Sequence, residues 1–420
     1  MKILFISDVF PRFHAPGGSP TRVYYLIREL AGRHQVTLLS TRWPGVEIDP
    51  SNLKGICEKV EFYEFCDKPP LSKGEKMLEK LIGKGNRERL RELYHLLFEY
   101  PQTVQSTLRH LPNFRKKLLG LDLAQFDLVQ IEVSNIAYRG VEVKKIRSDI
   151  PLILDLHDVD SLIEYRNFKN ADGLRWKIFS LFEWKKMVQY EKRIYKLFDR
   201  CLTVSEEDKE LLLSISPNTD VSIIPNGVDT EFFRNSNPDA WEPKSIFFVG
   251  GDWPPNIDAV LYFYRNIFPL IKREIPDIKF YIVGGIGRNE RIKLLSNENI
   301  IITGYVDDVR PWMERCAVSI VPMRFGGGTK VKILDALSME KAVVSTSVGC
   351  EGIKVTNGEN ILIADTPKDF AEAVINLLKD ESLCRKLGGN GRRLVKKIYD
   401  WRVIGTRLEE AYSEVIERRK

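Results

Sequence analysis

The residues best suited to chemistry stand within a short run: Gly326, Gly327, Gly328, Thr329, Lys330 and Asp335. Three consecutive glycines carry no Cβ, so their backbone N–H groups can approach an anion closely. The helix expected to follow adds unpaired N–H donors and the positive end of its dipole. Thr329 can cap that helix, and Lys330 sets a full positive charge beside the same spot. Asp335 is a carboxylate among Val331, Ile333, Leu334, Ala336 and Leu337, and a charge on so apolar a helix either pairs or binds something. The competing reading is a flexible glycine turn followed by an Asp335–Lys332 pair at i, i+3. The coincidence of loop, cation and helix start favours a phosphate cradle.

These residues sit inside VSIVPMRFGGGTKVKILDALSMEKAVVST (Val318–Thr346). It reads as a buried strand, the glycine loop, a helix of about three turns and a second buried strand, Ala342–Ser345: a βαβ unit of a parallel sheet. The loop falls at the carboxyl end of its strand, the edge where open α/β sheets bind ligands. Two other glycine pairs fall at similar edges. Gly250 and Gly251 end the strand Ser245–Val249, and Gly17 and Gly18 close the long loop after the strand Lys2–Ser7. Ser19 caps the helix that follows and Pro20 takes its first position. Gly17 and Gly18 would let that helix start approach a ligand across a cleft; a plain turn before a capped helix reads equally well. There is no GxGxxG, and the loop is too long for a tight dinucleotide turn.

Further strands are expected at Gln35–Ser40, Lys59–Phe65, Asp127–Ile131, Pro151–Leu156, Cys201–Val204 and Val221–Ile224, then at Lys279–Val283, Ile300–Thr303 and Ile361–Ile363. The alternation predicts an α/β protein of two Rossmann-like domains facing each other across a cleft. The first covers residues 1–235, with a helical, basic insertion at Leu71–Leu119; the second covers 244–398, after an Asn- and Pro-rich linker. Residues 399–420 add a final helix, expected over Val403–Arg418, with Gly405 in its first turn.

The chain of 420 residues is too long for one core. With 43% hydrophobic and 29% charged residues it reads as a soluble globular protein, and a net +6 does not by itself argue for nucleic acid. No apolar run is long enough to span a bilayer, and the start reads as a strand rather than a signal peptide. Six cysteines are scattered without CxxC spacing, which supports neither zinc nor a disulfide framework and points to a reducing, cytoplasmic setting. Lys73–Lys117 holds eleven Lys/Arg against five Asp/Glu, and Ala171–Arg200 is a basic helical stretch with interleaved aromatics. Such a face is either core with a solvated rim or a peripheral contact with an anionic membrane surface.

The run GYVDDVRPWMERCAVSIVPMRFGGGTKVKILDALSMEKAVVSTSVGCEGI (Gly304–Ile353) closely resembles the donor-binding half of retaining GT-B glycosyltransferases of the family-4 type. The likeness extends to Lys2–Leu30, Ile224–Asp229, Phe247–Phe263 and Tyr399–Trp401. It implies a C-terminal domain that binds a nucleotide-sugar, a last helix that crosses back to the first domain, and transfer of a sugar to a hydroxyl acceptor: a glycan, a glycolipid or a small molecule. The family's paired glutamates, eight positions apart, fall on Gly327 and Asp335. Asp335 would then hold the ribose hydroxyls, and backbone groups of Gly327 and Gly328 would read the donor sugar. The Arg and Lys that many members carry after the first strand of the second domain are replaced by Gly250-Gly251-Asp252-Trp253, leaving Lys330, with Arg324, to balance the diphosphate. His157 matches the active-site histidine, and Gly17 and Gly18 match the loop that approaches the diphosphate. No metal or other cofactor is implied. A sugar-nucleotide epimerase or hydrolase, with catalytic carboxylates among Asp155, Asp158 and Asp160, and a nucleotide-binding regulatory module stay open.

Overall fold

A computed structural model describes the chain apart from residues 14–17, 44, 46–47, 66–99, 109, 238–240, 294, 296–297 and 420. Gly17 and most of the expected insertion therefore lie outside the described residues; the rest of the insertion forms helices Gln102–Leu108 and Leu111–Leu119. The chain divides into two compact units. One is built from Met1–Ala15, Ser19–Ile224 and Gly405–Lys420; the other is centred on Pro225–Ile404.

The first unit holds a seven-stranded sheet in the order β3-β2-β1-β4-β5-β6-β7. Its strands are β1 (Lys2–Ser7), β2 (Gln35–Arg42), β3 (Lys59–Glu64), β4 (Leu128–Glu132), β5 (Leu152–Asp155), β6 (Arg200–Thr203) and β7 (Val221–Ile223). Every pairing is parallel. Residues such as Leu4, Ile6, Val129, Ile131 and Leu154 are fully buried, as strands covered on both faces require. Helix α1 (Gly18–Ala31) follows β1, and its run Arg22–Ile27 is buried throughout.

The basic aromatic stretch expected at Ala171–Arg200 is mainly helix α3 (Leu174–Ile194). It packs on a preceding helix not expected from the sequence, α2 (Asp160–Asn170), and the turn between them holds Gly173, whose φ of 83° suits a residue without Cβ. Trp184 stacks against Phe168, and Tyr190, Tyr195 and Phe198 are buried in the core, which makes part of the aromatic face core. Leu174, Trp176 and Ile178 at the start of α3 stay exposed, at 77%, 64% and 45%.

The second unit holds a six-stranded parallel sheet in the order β10-β9-β8-β11-β12-β13. Its strands are β8 (Glu242–Val249), β9 (Lys279–Val283), β10 (Ile300–Gly304), β11 (Cys316–Val321), β12 (Ala342–Ser345) and β13 (Leu362–Ile363). Helix α4 (Pro254–Tyr262) follows β8, and α5 (Val331–Ser338) follows β11. The helix α5 has eight residues rather than about three turns, because the chain turns out of it at Glu340, in the left-handed region at φ 58°. Its N-cap is Lys330, not Thr329, and the hydroxyl of Thr329 is buried without a hydrogen-bond partner.

The last helix, α6 (Trp401–Glu417), starts two residues earlier than its periodicity suggests. Gly405 is therefore interior to it. A Cβ there would lie 2.5 Å from the Cβ of Glu29 on α1, so the glycine lets the two helices lie close.

Candidate active site

In each sheet the strand order reverses once, between β1 and β4 and between β8 and β11. A crevice outside the carboxyl ends of the strands at such a point is where open α/β sheets take ligands.

In the second unit the loops leaving β8 and β11 flank that point. The first carries Gly250 and Gly251, the second Arg324 and Gly326–Gly328. Gly326 and Gly328 have φ of 131° and 64°, values an L side chain rarely adopts. The Lys330 ammonium donates to the carbonyls of Gly327 (3.1 Å) and Gly328 (2.6 Å). Because a peptide is planar and trans, those carbonyls turned onto Lys330 send the N–H groups of Gly328 and Thr329 the opposite way.

Two cross-links tie the loops together. Arg324 grips the carboxylate of Asp258 on α4, with Nε at 2.9 Å from Oδ2. Lys332 donates to Asn256 Oδ1 at 2.8 Å and lies 4.0 Å from the centre of the Phe248 ring. Asn256 in turn donates to the carbonyl of Gly251 at 3.1 Å. Lys332 and Asn256 escaped notice in the sequence, where Lys332 figured only as a partner for Asp335. No ion pair or hydrogen bond joins Lys332 to Asp335 in the structure, and Asp335 has no side-chain hydrogen bond among the described residues. Burial pushes the Asp335 carboxyl up to about 8, partly opposed by Lys332. Burial, with Lys330 close by, pulls Lys332 down to about 7. This unit thus presents glycine backbone, the start of α5 and two lysines, and on α5 a buried carboxyl group without a hydrogen-bond partner among the described residues.

The described residues of the long loop after β1 end at Phe13, and the chain is described again from Gly18, where α1 starts. His157 lies two residues beyond β5 and is 93% buried, being 7% exposed. Its Nε2 is 3.0 Å from Glu132 Oε2 and 3.6 Å from Asp155 Oδ2. Glu132 also accepts from Gln130 Nε2 at 2.7 Å, and the Tyr412 hydroxyl donates to Gln130 Oε1. Arg22 meets Asp155 with two bonds of 2.8 Å and donates to the carbonyl of Ile224 at 2.8 Å. Burial works against a charged imidazole, but the adjacent carboxylates of Asp155 and Glu132 outweigh it and push His157 up to about 9. Asp155 is also opposed by burial, yet Arg22 and His157 hold it well below the usual carboxylate range. Asp160 bonds the Ser134 hydroxyl. Glu132, Arg22 and Tyr412 escaped the sequence reading; only a Glu ending a buried strand hinted at the first.

A second buried ion pair closes the end of β1. Arg139 holds Asp8 through both carboxylate oxygens, at 2.5 and 2.7 Å, beside Thr41 and Tyr63.

Residues 16–232 match the family described as Glycosyltransferase Family 4, and residues 243–380 match the one described as Glycosyl transferases group 1. The chain belongs to glycosyltransferase family 4. This glycosyltransferase is 27% identical over 260 residues to an uncharacterised 44.6 kDa protein of the cps region of Klebsiella pneumoniae, covering 59% of this chain. The match spans 65% of that protein's length. It is also 27% identical over 264 residues to the capsular polysaccharide biosynthesis glycosyltransferase CapM of Staphylococcus aureus, covering 58% of this chain and 69% of CapM. The structure of Anabaena HepE in complex with UDP-glucose superposes over 99% of this chain and 100% of that one, with a TM-score of 0.62 and 15% identity. The glycosyltransferase shares the GT-B fold, two parallel-sheet α/β units, with these neighbours.

Proposed function

We propose that this glycosyltransferase moves a sugar from a nucleoside diphosphate donor to a hydroxyl acceptor, with retention of anomeric configuration. The observation that carries this reading is the pair of glycine-edged loops at the switch point of the second sheet, cross-linked by Lys332 and Asn256 and lined by Lys330. A nucleoside diphosphate is already a good leaving group, so the protein mainly has to stabilise charge developing on it. Loop N–H groups, the start of α5 and the lysines do so without a metal. Asp335 takes the ribose hydroxyls.

In the proposed step the bond from the anomeric carbon to the diphosphate oxygen breaks. A bond to the acceptor oxygen forms on the same face, and the acceptor's proton passes to the departing diphosphate. No second carboxylate is needed, unlike in a glycosidase. His157 orients the donor. The epimerase and hydrolase readings lose support because Asp155 is committed to Arg22 and Asp160 to Ser134.

UDP-sugars are the first donors to try, since HepE was solved with UDP-glucose. For the acceptor, a lipid-linked or membrane-proximal glycan fits the exposed Leu174, Trp176 and Ile178, which alternate with Arg175 and Lys177. That pattern suits peripheral contact with an anionic bilayer from the cytoplasmic side. No helix among the described residues is long and apolar enough to cross a membrane.

The test is a thermal-shift panel of UDP-, GDP-, ADP- and dTDP-sugars, then transfer of labelled sugar from the stabilising donor, with the product anomer read by NMR. Label released only to water would replace transfer with hydrolysis or epimerisation; an inverted product would remove retention alone.

A further inference from the structure

Glu132 and Asp155 are Cα partners in the register of β4 and β5. Both carboxylates are fully buried on one face of the sheet, where two like charges opposite each other repel. The surroundings offset this asymmetrically. Arg22 saturates Asp155, while Glu132 receives Gln130 on one oxygen and His157 on the other. His157 Nε2 is thereby committed to carboxylates, whereas its Nδ1 is buried and has no partner. Among the described residues, the other ionisable groups facing this cluster are Asp160 on α2 and Tyr412 on α6; Asp158 adjoins His157 in the chain.

We infer that Glu132 is a positioning residue that keeps His157 an imidazolium, its Nε2–H held inward and its Nδ1–H left as the hydrogen-bond donor offered to substrate. The role of His157 as a donor-substrate group rests on the reading above; its charge and orientation do not. An imidazolium so held cannot accept the acceptor's proton. It serves by donating to an oxygen, which agrees with a reaction in which the leaving diphosphate takes that proton. Glu132, Asp155 and His157 also lie close enough to share a cation. Against that, the Arg22 guanidinium already places a fixed positive charge on Asp155, and Glu132 faces an imidazole able to supply the second.

The experiment is an NMR titration of the histidine ring nitrogens in the full chain. Five histidines keep it tractable, and a His157→Gln sample assigns the signal. His157 should stay doubly protonated through pH 8, and Glu132→Gln should lower its titration by about one pH unit or more, a tenfold change in proton affinity. The alkaline limb of kcat/KM should move down with it, and Glu132→Asp should restore part of the shift. A merely structural Glu132 would lower Tm without moving either profile. A neutral His157 at pH 7 in the native protein overturns the inference even if Glu132→Gln fails to fold. So does stoichiometric binding of added Zn2+ at the His157 signal. Because the titration reads no activity, its outcome stands apart from whether the protein transfers sugar.

Discussion

Replacing Lys330 by alanine removes two things at once. It deletes a positive charge beside the glycine loop, and it frees the carbonyls of Gly327 and Gly328 that the ammonium holds at 3.1 and 2.6 Å. The first loss is the familiar removal of one charge-stabilising donor, about 3 kcal/mol or roughly a hundredfold in rate. The second adds about 1.5–3 kcal/mol per charge-assisted bond at most. That figure is discounted here because Gly327 is exposed and water can replace the ammonium at its carbonyl. Lys330→Ala is therefore expected to lower kcat/KM at limiting donor by at least about a hundredfold. Lys330→Gln, which keeps a donor near the carbonyls without the charge, should lose roughly tenfold. Initial rates with labelled donor, paired with calorimetric titration of free UDP, separate the two contributions. Unchanged kcat/KM in Lys330→Ala would refute the assignment. Equal activity in Lys330→Gln and the native protein would leave Lys330 as a loop staple only.

Three further outcomes follow from the same geometry. Asp335→Asn should weaken free nucleoside diphosphate and intact donor alike, by about 1–3 kcal/mol. Because burial holds this carboxyl up at about 8, the unfolded chain ionises first and native stability should fall as pH rises from about 4 to 8. Asn should flatten that slope in melts taken across the range, and a loss of melting temperature without loss of nucleotide affinity would make Asp335 structural. Arg22→Met leaves the buried Asp155 and the carbonyl of Ile224 without their donor, at a cost of about 3–5 kcal/mol in denaturant unfolding; a double variant with Asp155→Leu should recover much of this, and strictly additive losses would contradict the pairing. Liposome flotation should show binding to anionic vesicles that fades with salt and is lost when Leu174, Trp176 and Ile178 become Ser. The charges to reverse are Lys185 and Lys192, since Lys186 is already paired with Glu183. Equal recovery with neutral and anionic vesicles, or none with either, returns α3 to being core plus a solvated face.

The sequence made the strands legible to within about two or three residues because fully buried parallel strands are continuous apolar runs. The glycine loop, Lys330 and Asp335 were legible for a different reason: their chemistry is written in neighbouring letters. What escaped depends on register and long-range packing. Nothing local says that Glu132 lies opposite Asp155, since the two are joined only by the pairing of β4 with β5. Arg22 arrives from a helix 133 positions away. Lys332 has a nearby carboxylate at the right helical spacing, yet its ammonium goes to Asn256, 76 positions earlier. Helix α3 was legible within Ala171–Arg200, whereas α2, which lies just before it, was not expected, because its composition is mixed and Ser161 is its one buried residue.

The register of β4 and β5 also bears on how this enzyme could change over generations. Two acids at one rung are tolerable only while an arginine and a histidine answer them, so losing Arg22, Asp155 or His157 alone strands a charge in the interior. Drift at residues 22, 132, 155 and 157 must pass through costly intermediates or move by joint replacement. A library that randomises these four positions together should therefore recover functional combinations whose single-step intermediates are destabilised.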